Sequence, residues 1–326
     1  MKVAVIGAGI AGLATARELG ARGASAVVFE RDELPGGRVA TEAIFGYVFD
    51  SGAQSVVPYA SELTDVLLNK LAVHDLIRIE APVFVFEHLR VTSGDPKRNA
   101  SPRYTYRQGL AELPRLLAQG LNIRFNTNVT EIERAGDQFR VLGDLFDAVV
   151  TTVPVPQASV LLWGLAAHKA IAQSKYRSCV SVLLGFEVEP PTTRYHALVT
   201  EEESHPLQWL GLENVKAPER SPVGTTALVA QLNPSFSRTA WDWEDARVIS
   251  EVTGFVKTLY GPEWKHPVVS HVKRWKYSQP EAIVLFDSVN HRNERLIVSG
   301  DGVAGGRIEY AFASGLRAAR LLTDEL

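Results

Sequence analysis

Glycines at positions 7, 9 and 12, directly after the apolar run Val3-Ala4-Val5-Ile6, constrain this chain more than any other feature. Four apolar residues in a row fit a strand buried on both faces. Gly7 permits the tight turn off that strand, Gly9 lets a pyrophosphate approach the main chain, and Gly12 lets the next helix pack close to the strand. That helix is expected over residues 10–22, opening on Ile10 and Ala11, with Gly23 placed to cap its end. Its first turn offers free N–H groups and a positive dipole end to phosphate. A second apolar run, Val27-Val28-Phe29, ends in Glu30, 18 residues past Gly12. A carboxylate there can accept hydrogen bonds from adenosine ribose hydroxyls. Arg31 follows as a candidate contact whose default is a surface position.

A plain nicotinamide domain would continue into another helix. Instead the chain runs Pro35-Gly36-Gly37-Arg38, then Ala40-Thr41. The glycines let the main chain pass close to a bound cofactor. Arg38 beside them can pair with a pyrophosphate through charge-assisted hydrogen bonds.

At 326 residues, 46% hydrophobic and 22% charged, the chain has the composition of a globular enzyme with room for two domains. Its net charge is −3 and no Lys/Arg-rich tract occurs, which argues against a nucleic-acid partner. The single cysteine, Cys179, excludes an internal disulfide framework, and its apolar surroundings predict a buried, inert thiol. The eight histidines show no metal-ligand spacing. No segment reaches ~18 uninterrupted apolar residues, so a cytoplasmic protein without a membrane partner is expected, as monomer or homodimer.

Downstream, residues 45–54 read as a strand running into a Gly-containing turn, Asp50-Ser51-Gly52-Ala53-Gln54. Residues 61–72 read as a helix with Ser61 as N-cap, and 92–102 as an exposed loop. A helix is expected over 110–119, strands over 123–125 and 128–132, and a buried strand over 146–154 ending at Pro154. From 158 to 291 strand-like runs dominate: 179–188, 226–232, 268–277 and 283–286. One amphipathic helix interrupts them, aligning Val248, Val252, Phe255 and Leu259. In Lys273-Arg274-Trp275-Lys276-Tyr277 the alternation puts Trp275 and Tyr277 on one face. The last forty residues give a strand over 295–299, then Gly300-Asp301, a Gly-rich loop, and a helix over 308–322.

These stretches together resemble the FAD domain of the glutathione-reductase-type flavoproteins, in the branch containing flavin amine oxidases and renalases. They look most similar to bacterial renalase-like proteins. The resemblance implies an α/β fold: a Rossmann-like FAD-binding domain (1–57, 106–157 and 292–326) with an inserted α+β substrate domain (58–105 and 158–291) on a mostly antiparallel sheet. It implies non-covalent FAD, with Gly52, Ala53 and Gln54 approaching the flavin and Val129 meeting the adenine. Thr152 and Pro154 lie in the family's crossover segment. Asp301 would accept from the ribityl chain, and the helix start at Arg307 and Ile308 would point at the flavin pyrimidine edge. Trp275, Tyr277 and Gln54 are candidates for the cavity wall, with the catalytic residues unassigned.

The activity implied is that of an oxidase. A small-molecule donor, an isomeric dihydro-NAD(P), gives a hydride to the flavin, and O2 takes the electrons to yield H2O2. Alternatives are a flavin amine oxidase, a desaturase or protoporphyrinogen-oxidase relative, and a non-catalytic flavin-binding redox module. Lys273 and Lys276 are the nearest candidates for the amine-oxidase flavin lysine, with solvated strand lysines as the default. The sequence departs from its relatives at Gly302, where they often have Trp, and over 106–110, which lacks their usual helix start.

Overall fold

The computed structural model describes residues 1–59, 61–71, 75–87, 90–165, 171, 174–200, 202 and 204–324. Two large sheets organise it. The first is parallel, in the order Leu296–Val298, Ala148–Thr151, Lys2–Ile6, Ser25–Phe29, Ile123–Arg124. Its central strand is buried from Val3 onward because helices cover both faces. The helices Ile10–Ala21 and Ile308–Thr323 pack together so tightly that a Cβ on Gly315 would lie 2.2 Å from the Ala11 carbonyl oxygen. The Thr15 hydroxyl donates to the Gly315 carbonyl across this contact (3.1 Å).

The second sheet has seven strands, in the order Val269–Ala282, Lys175–Phe186, Thr226–Leu232, Leu207–Leu212, Ala197–Val199, Val83–Glu87, Arg90–Ser93. Among these the pair Ala197–Val199 with Val83–Glu87 is parallel and the others are antiparallel. The helix Asp245–Tyr260 packs on it through Val248, Val252 and Val256, each contributing about 1.5–3 kcal/mol of apolar burial. Gly261, at φ +121, ends that helix where a side chain would be strained.

Several local expectations need correction. Residues 45–54 do hold a strand running into a Gly-containing turn, but the strand is only Tyr47–Phe49: Phe45 and Gly46 turn the hairpin that joins it to Glu42–Ile44. The segment after Ser61 is one α-turn, Glu62–Asp65, that widens into a π-helical turn, Val66–Lys70; Ser61 makes no capping hydrogen bond, and residue 72 lies outside the described residues. The stretch 92–102 is not a plain loop: it contains the end of a strand and the helix Pro96–Ala100, which Asp95 caps by accepting from the Lys97 N–H (2.8 Å). Residues 128–132 form no strand. The Asn126 and Thr127 amides are instead committed to the Asp32 and Glu30 carbonyls, which holds this segment beside the second strand rather than in a ladder. The strand over 146–154 is two elements, Asp144–Phe146 in a small antiparallel meander and Ala148–Thr151 in the parallel sheet. Residues 283–286 are not a strand; a one-turn helix, Phe286–Val289, starts there.

Candidate functional site

The site is assembled at the carboxyl ends of the parallel strands, where an α/β sheet leaves a crevice. Gly7, at φ +100, turns the chain off its strand, and its N–H donates to Phe29 O (2.8 Å). The Thr152 hydroxyl lies within hydrogen-bond distance of the carbonyls of Ile6 (2.9 Å) and Gly7 (3.0 Å), pinning the turn from the neighbouring strand. A Cβ at Gly12 would stand 1.9 Å from Gly7 O, so only glycine allows the helix this close. At Gly9 a Cβ would meet no protein atom within 4 Å: the position opens onto the cleft. Glu30, 6% exposed, accepts from the N–H of Ala8 (2.7 Å) and of Asp32 (3.0 Å), fixing its carboxylate at the cleft edge. Arg31 lines the same edge but is exposed, with Asp32 at 3.6 Å.

The GGR loop folds back over this turn. Gly36 N–H donates to Ala8 O (2.9 Å), and Gly36 and Gly37 both have positive φ. Arg38 then crosses to the C-terminal segment. Its guanidinium forms a forked pair with Asp301, Nη1–Oδ2 2.5 Å and Nη2–Oδ1 2.9 Å. Tyr176 donates to the same Asp301 Oδ1 (2.9 Å). Burial works against the Arg38 charge, but the Asp301 carboxylate more than offsets it and holds Arg38 above the ordinary guanidinium range. Burial, reinforced by Asp301, pushes the Tyr176 phenol up.

A continuous cleft of about 1710 Å³ runs past these elements. Gly7, Gly9, Ile10, Ala11, Glu30, Arg31, Gly37, Arg38, Gly52, Ala53, Val129, Thr152, Pro154, Gly300, Asp301, Arg307 and Ile308 all line it, as do Trp275 and Tyr277. Two expected residues do not. Gly12 is spent on helix packing. Gln54 is turned into the protein: its amide donates to Asp50 O (2.5 Å) and Gly52 O (3.0 Å), while its Oε1 accepts from Trp209 Nε1 (3.1 Å) and Lys216 Nζ (3.0 Å). Trp275 forms a wall against Gly52, its indole N–H donating to Ser51 O (2.9 Å). Cys179 also lines the cleft and is half-buried rather than buried, with burial pushing its thiol up to about 11.

Beneath Gly52–Gln54 lies a charged cluster that sequence reading missed. Asp50, Glu213, Lys216 and Arg220 have fully buried side chains. Arg220 pairs with Asp50 (2.6 Å) and Glu213, and donates to Thr105 Oγ1 and Tyr106 O (both 2.7 Å). Lys216 reaches Glu213 (2.7 Å), Asp50 (3.4 Å) and Gln54. Burial alone would raise the Asp50 carboxyl, but Arg220, Lys216 and the Leu110 N–H hold it below the usual range. The cluster fixes the segment that forms the cleft floor.

The two departures have local explanations. A Cβ on Gly302 would stand 2.4 Å from Val155 Cγ2 and 2.5 Å from the Tyr176 hydroxyl, so Tyr176 fills space that a larger residue at 302 would need. Gly109 has φ +103 and abuts Thr41, while the next two amides, of Leu110 and Ala111, donate to Asp50 (2.7 Å) and Thr41 (3.0 Å).

The residues present fit a dinucleotide such as FAD. The cradle at Gly9 is open, and Glu309 Oε1 is a buried oxygen of a cleft-lining residue that accepts no hydrogen bond, its ion-pair neighbour Arg307 standing 3.7 Å away. No group of side chains able to hold a metal occurs among the described residues.

Comparisons with known proteins bear on the family and the fold. Residues 83–323 match the flavin containing amine oxidoreductase family, and residues 5–71 match an NAD(P)-binding Rossmann-like domain. A 4,4'-diapophytoene desaturase (4,4'-diaponeurosporene-forming) of Staphylococcus haemolyticus (strain JCSC1435) is 42% identical over 57 residues, 18% of this chain and 11% of that protein. Protoporphyrinogen oxidase 2, chloroplastic/mitochondrial, of Arabidopsis thaliana is 38% identical over 66 residues, 20% of this chain and 13% of that protein. The matches thus span about an eighth of these relatives' lengths. Among solved structures, a protein of Exiguobacterium sp. 255-15 described provisionally as a protoporphyrinogen oxidase superposes with TM-score 0.80 at 15% identity, covering 100% of this chain and 99% of that one. A reduced UDP-galactopyranose mutase gives 0.75 at 13% identity, covering 98% and 94%. A triple mutant of putrescine oxidase gives 0.74 at 14%, covering 98% and 97%. At these identities the superpositions speak for the fold. With its family match over most of its length, the chain belongs to the flavin-containing amine oxidoreductase family, with FAD as its cofactor.

Proposed function

We propose that this protein is an FAD-dependent oxidase that takes a hydride from a small-molecule donor, an isomeric dihydro-NAD(P) of the renalase type, and passes the electrons to O2 to give H2O2. FAD, when bound, supplies a two-electron acceptor that O2 can reoxidise. In this reading Gly7, Gly9, Ile10, Ala11 and Arg38 hold the pyrophosphate, Glu30 the adenosine ribose, and the Val129 main chain the adenine. Gly37, Gly52, Ala53, Thr152, Pro154, Gly300, Asp301, Arg307 and Ile308 bound the remainder, with Arg31 at the rim. The parallel sheet and its helices form the cofactor domain, and residues 58–105 and 158–291 supply the substrate side.

The observation that carries this reading is the continuity and size of the cleft. A single-ligand pocket has ~300–1,000 Å³. Here about 1710 Å³ is shared by the dinucleotide elements and the Trp275–Tyr277 wall, which leaves room for a second ligand beside the dinucleotide. The chain's task is then to hold a flat donor ring against the flavin and exclude water. A dihydronicotinamide becomes an aromatic cation by losing a hydride, so no proton need be removed from carbon. That agrees with a cleft in which no histidine appears among the described lining residues. A second reading, a flavin amine oxidase, is favoured by Lys273, which lines the cleft 5.3 Å from the Trp275 ring. Its ammonium is, however, paired with Glu42 (3.1 Å).

The test is coupled O2 consumption and H2O2 formation by the FAD-loaded protein. Dihydro-NAD isomers are expected to support both at one H2O2 per O2. Turnover with putrescine or another amine but none with the isomers would replace this reading by the second.

A further inference from the structure

Basic side chains outnumber acidic ones along the cleft. Two of them, Arg307 and Arg103, act on one tyrosine, and Arg98 adjoins Arg103. Tyr59 lines the cleft, is 51% exposed, and holds φ +42, a conformation that a side chain of its size rarely adopts without cause. The Arg307 guanidinium lies 5.0 Å from its ring centroid, and the Arg103 charge interacts with the same phenol. Arg103 in turn donates to Arg98 O (3.0 Å) and, at 3.4 Å, to Asn99 Oδ1. All four side chains border the same space.

The charge balance of this group is uneven. Arg98 has Asp95 at 3.7 Å and Arg307 has Glu309 at 3.7 Å. Arg103 has no carboxylate partner among the described residues, although it is half-buried. Burial disfavours its charge. A partly desolvated guanidinium with no counter-charge costs folding free energy unless an anion completes it. Its planar fork matches phosphate or carboxylate.

We propose that Arg103, flanked by Arg98 and Arg307 and backed by Tyr59, receives an oxyanion carried by the substrate, either a phosphate or a carboxylate. The substrate is then an anion, and polyamines are repelled from this end of the cleft. The inference deepens the proposed function and rests on the cleft being a substrate site beside bound FAD.

The test uses the FAD-loaded protein without turnover. Inorganic pyrophosphate, glutarate and putrescine are titrated separately while the absorbance difference spectrum of the oxidised flavin is followed. One of the two anions is expected to perturb the flavin saturably. R103Q is expected to weaken that binding about tenfold or more at unchanged FAD content, with R103K intermediate. Pyrophosphate binding the tighter assigns the oxyanion to a phosphate; glutarate binding the tighter assigns it to a carboxylate. The proposal is overturned if neither anion binds, if R103Q binds as wild type, or if putrescine alone binds. It is equally overturned if R103Q and R103K both purify without FAD, since Arg103 would then serve the cofactor. Anion binding is read without catalysis, so this result stands apart from whether a dihydronicotinamide is oxidised.

Discussion

Arg38 and Asp301, 263 residues apart in the chain, meet in a forked ion pair with N–O distances of 2.5 and 2.9 Å. The pair ties the GGR loop to the Gly300–Asp301 turn, and Tyr176 braces it from the seven-stranded sheet. Charge-assisted hydrogen bonds of this kind are worth about 1.5–3 kcal/mol. R38M and D301N are each expected to weaken FAD binding at least tenfold, measured by flavin fluorescence titration. The double variant should lose less than the sum of the two, because each single change also strands the other partner.

Gly9 and Gly12 separate cofactor contact from packing. Gly9 has φ −71 and open space around its missing Cβ, so G9A should keep the melting temperature of the wild type while FAD affinity falls. G12A would drive a Cβ into Gly7 O, and overpacking of this kind costs about 1–3 kcal/mol. A thermal melt of the two cofactor-stripped variants should show the loss only for G12A.

The buried cluster under the cleft floor makes a third prediction. R220M leaves Asp50 and Glu213 short of a counter-charge at sites with no solvent exposure. Removing one member of a buried ion pair costs about 3–5 kcal/mol. Urea unfolding of R220M should show a loss of that size, with the flavin spectrum altered through the displaced Gly52–Gln54 segment.

Cys179 faces the cleft with its thiol pushed up to about 11 by burial. Alkylation by iodoacetamide should therefore be slow at neutral pH and rise about tenfold per pH unit until that range. A plateau reached near pH 8 would contradict the assigned environment.

His196 is buried, with Nδ1 within 2.5 Å of Ala81 O and Nε2 unpartnered, and burial lowers its pKa from 6.5 to about 3. Its folded value lies below its unfolded value, so the unfolded chain takes up the extra proton between those limits. The stability His196 allows above pH 6.5 is thus expected to fall as pH drops from 6.5 toward 3. H196Q should flatten that part of the stability–pH curve.

The phosphate loop was legible because each of its glycines answers a separate steric demand within ten residues of chain, and the Gly300–Asp301 turn because it follows an apolar strand and precedes an amphipathic helix. The Arg38–Asp301 pair was not, since no local pattern encodes a contact between segments so far apart. No local pattern marks Glu213, Lys216 and Arg220; only the tertiary fold removes them from water and turns them on Asp50. Gln54 was misplaced for a related reason. Its segment does border the cleft, but Lys216 and Trp209 draw the side chain the other way. The strand expected over 128–132 does not form: the amides just before it, of Asn126 and Thr127, are taken by the Asp32 and Glu30 carbonyls.

The central claim is hydride removal from a dihydronicotinamide isomer, and anaerobic rapid mixing tests it most directly. Oxidised, FAD-loaded protein is mixed separately with dihydro-NAD isomers and with amines, and the visible absorbance of the oxidised flavin is recorded. Fast bleaching by an isomer, and none by amines, is the predicted result. Bleaching by amines alone, or by neither, would contradict it.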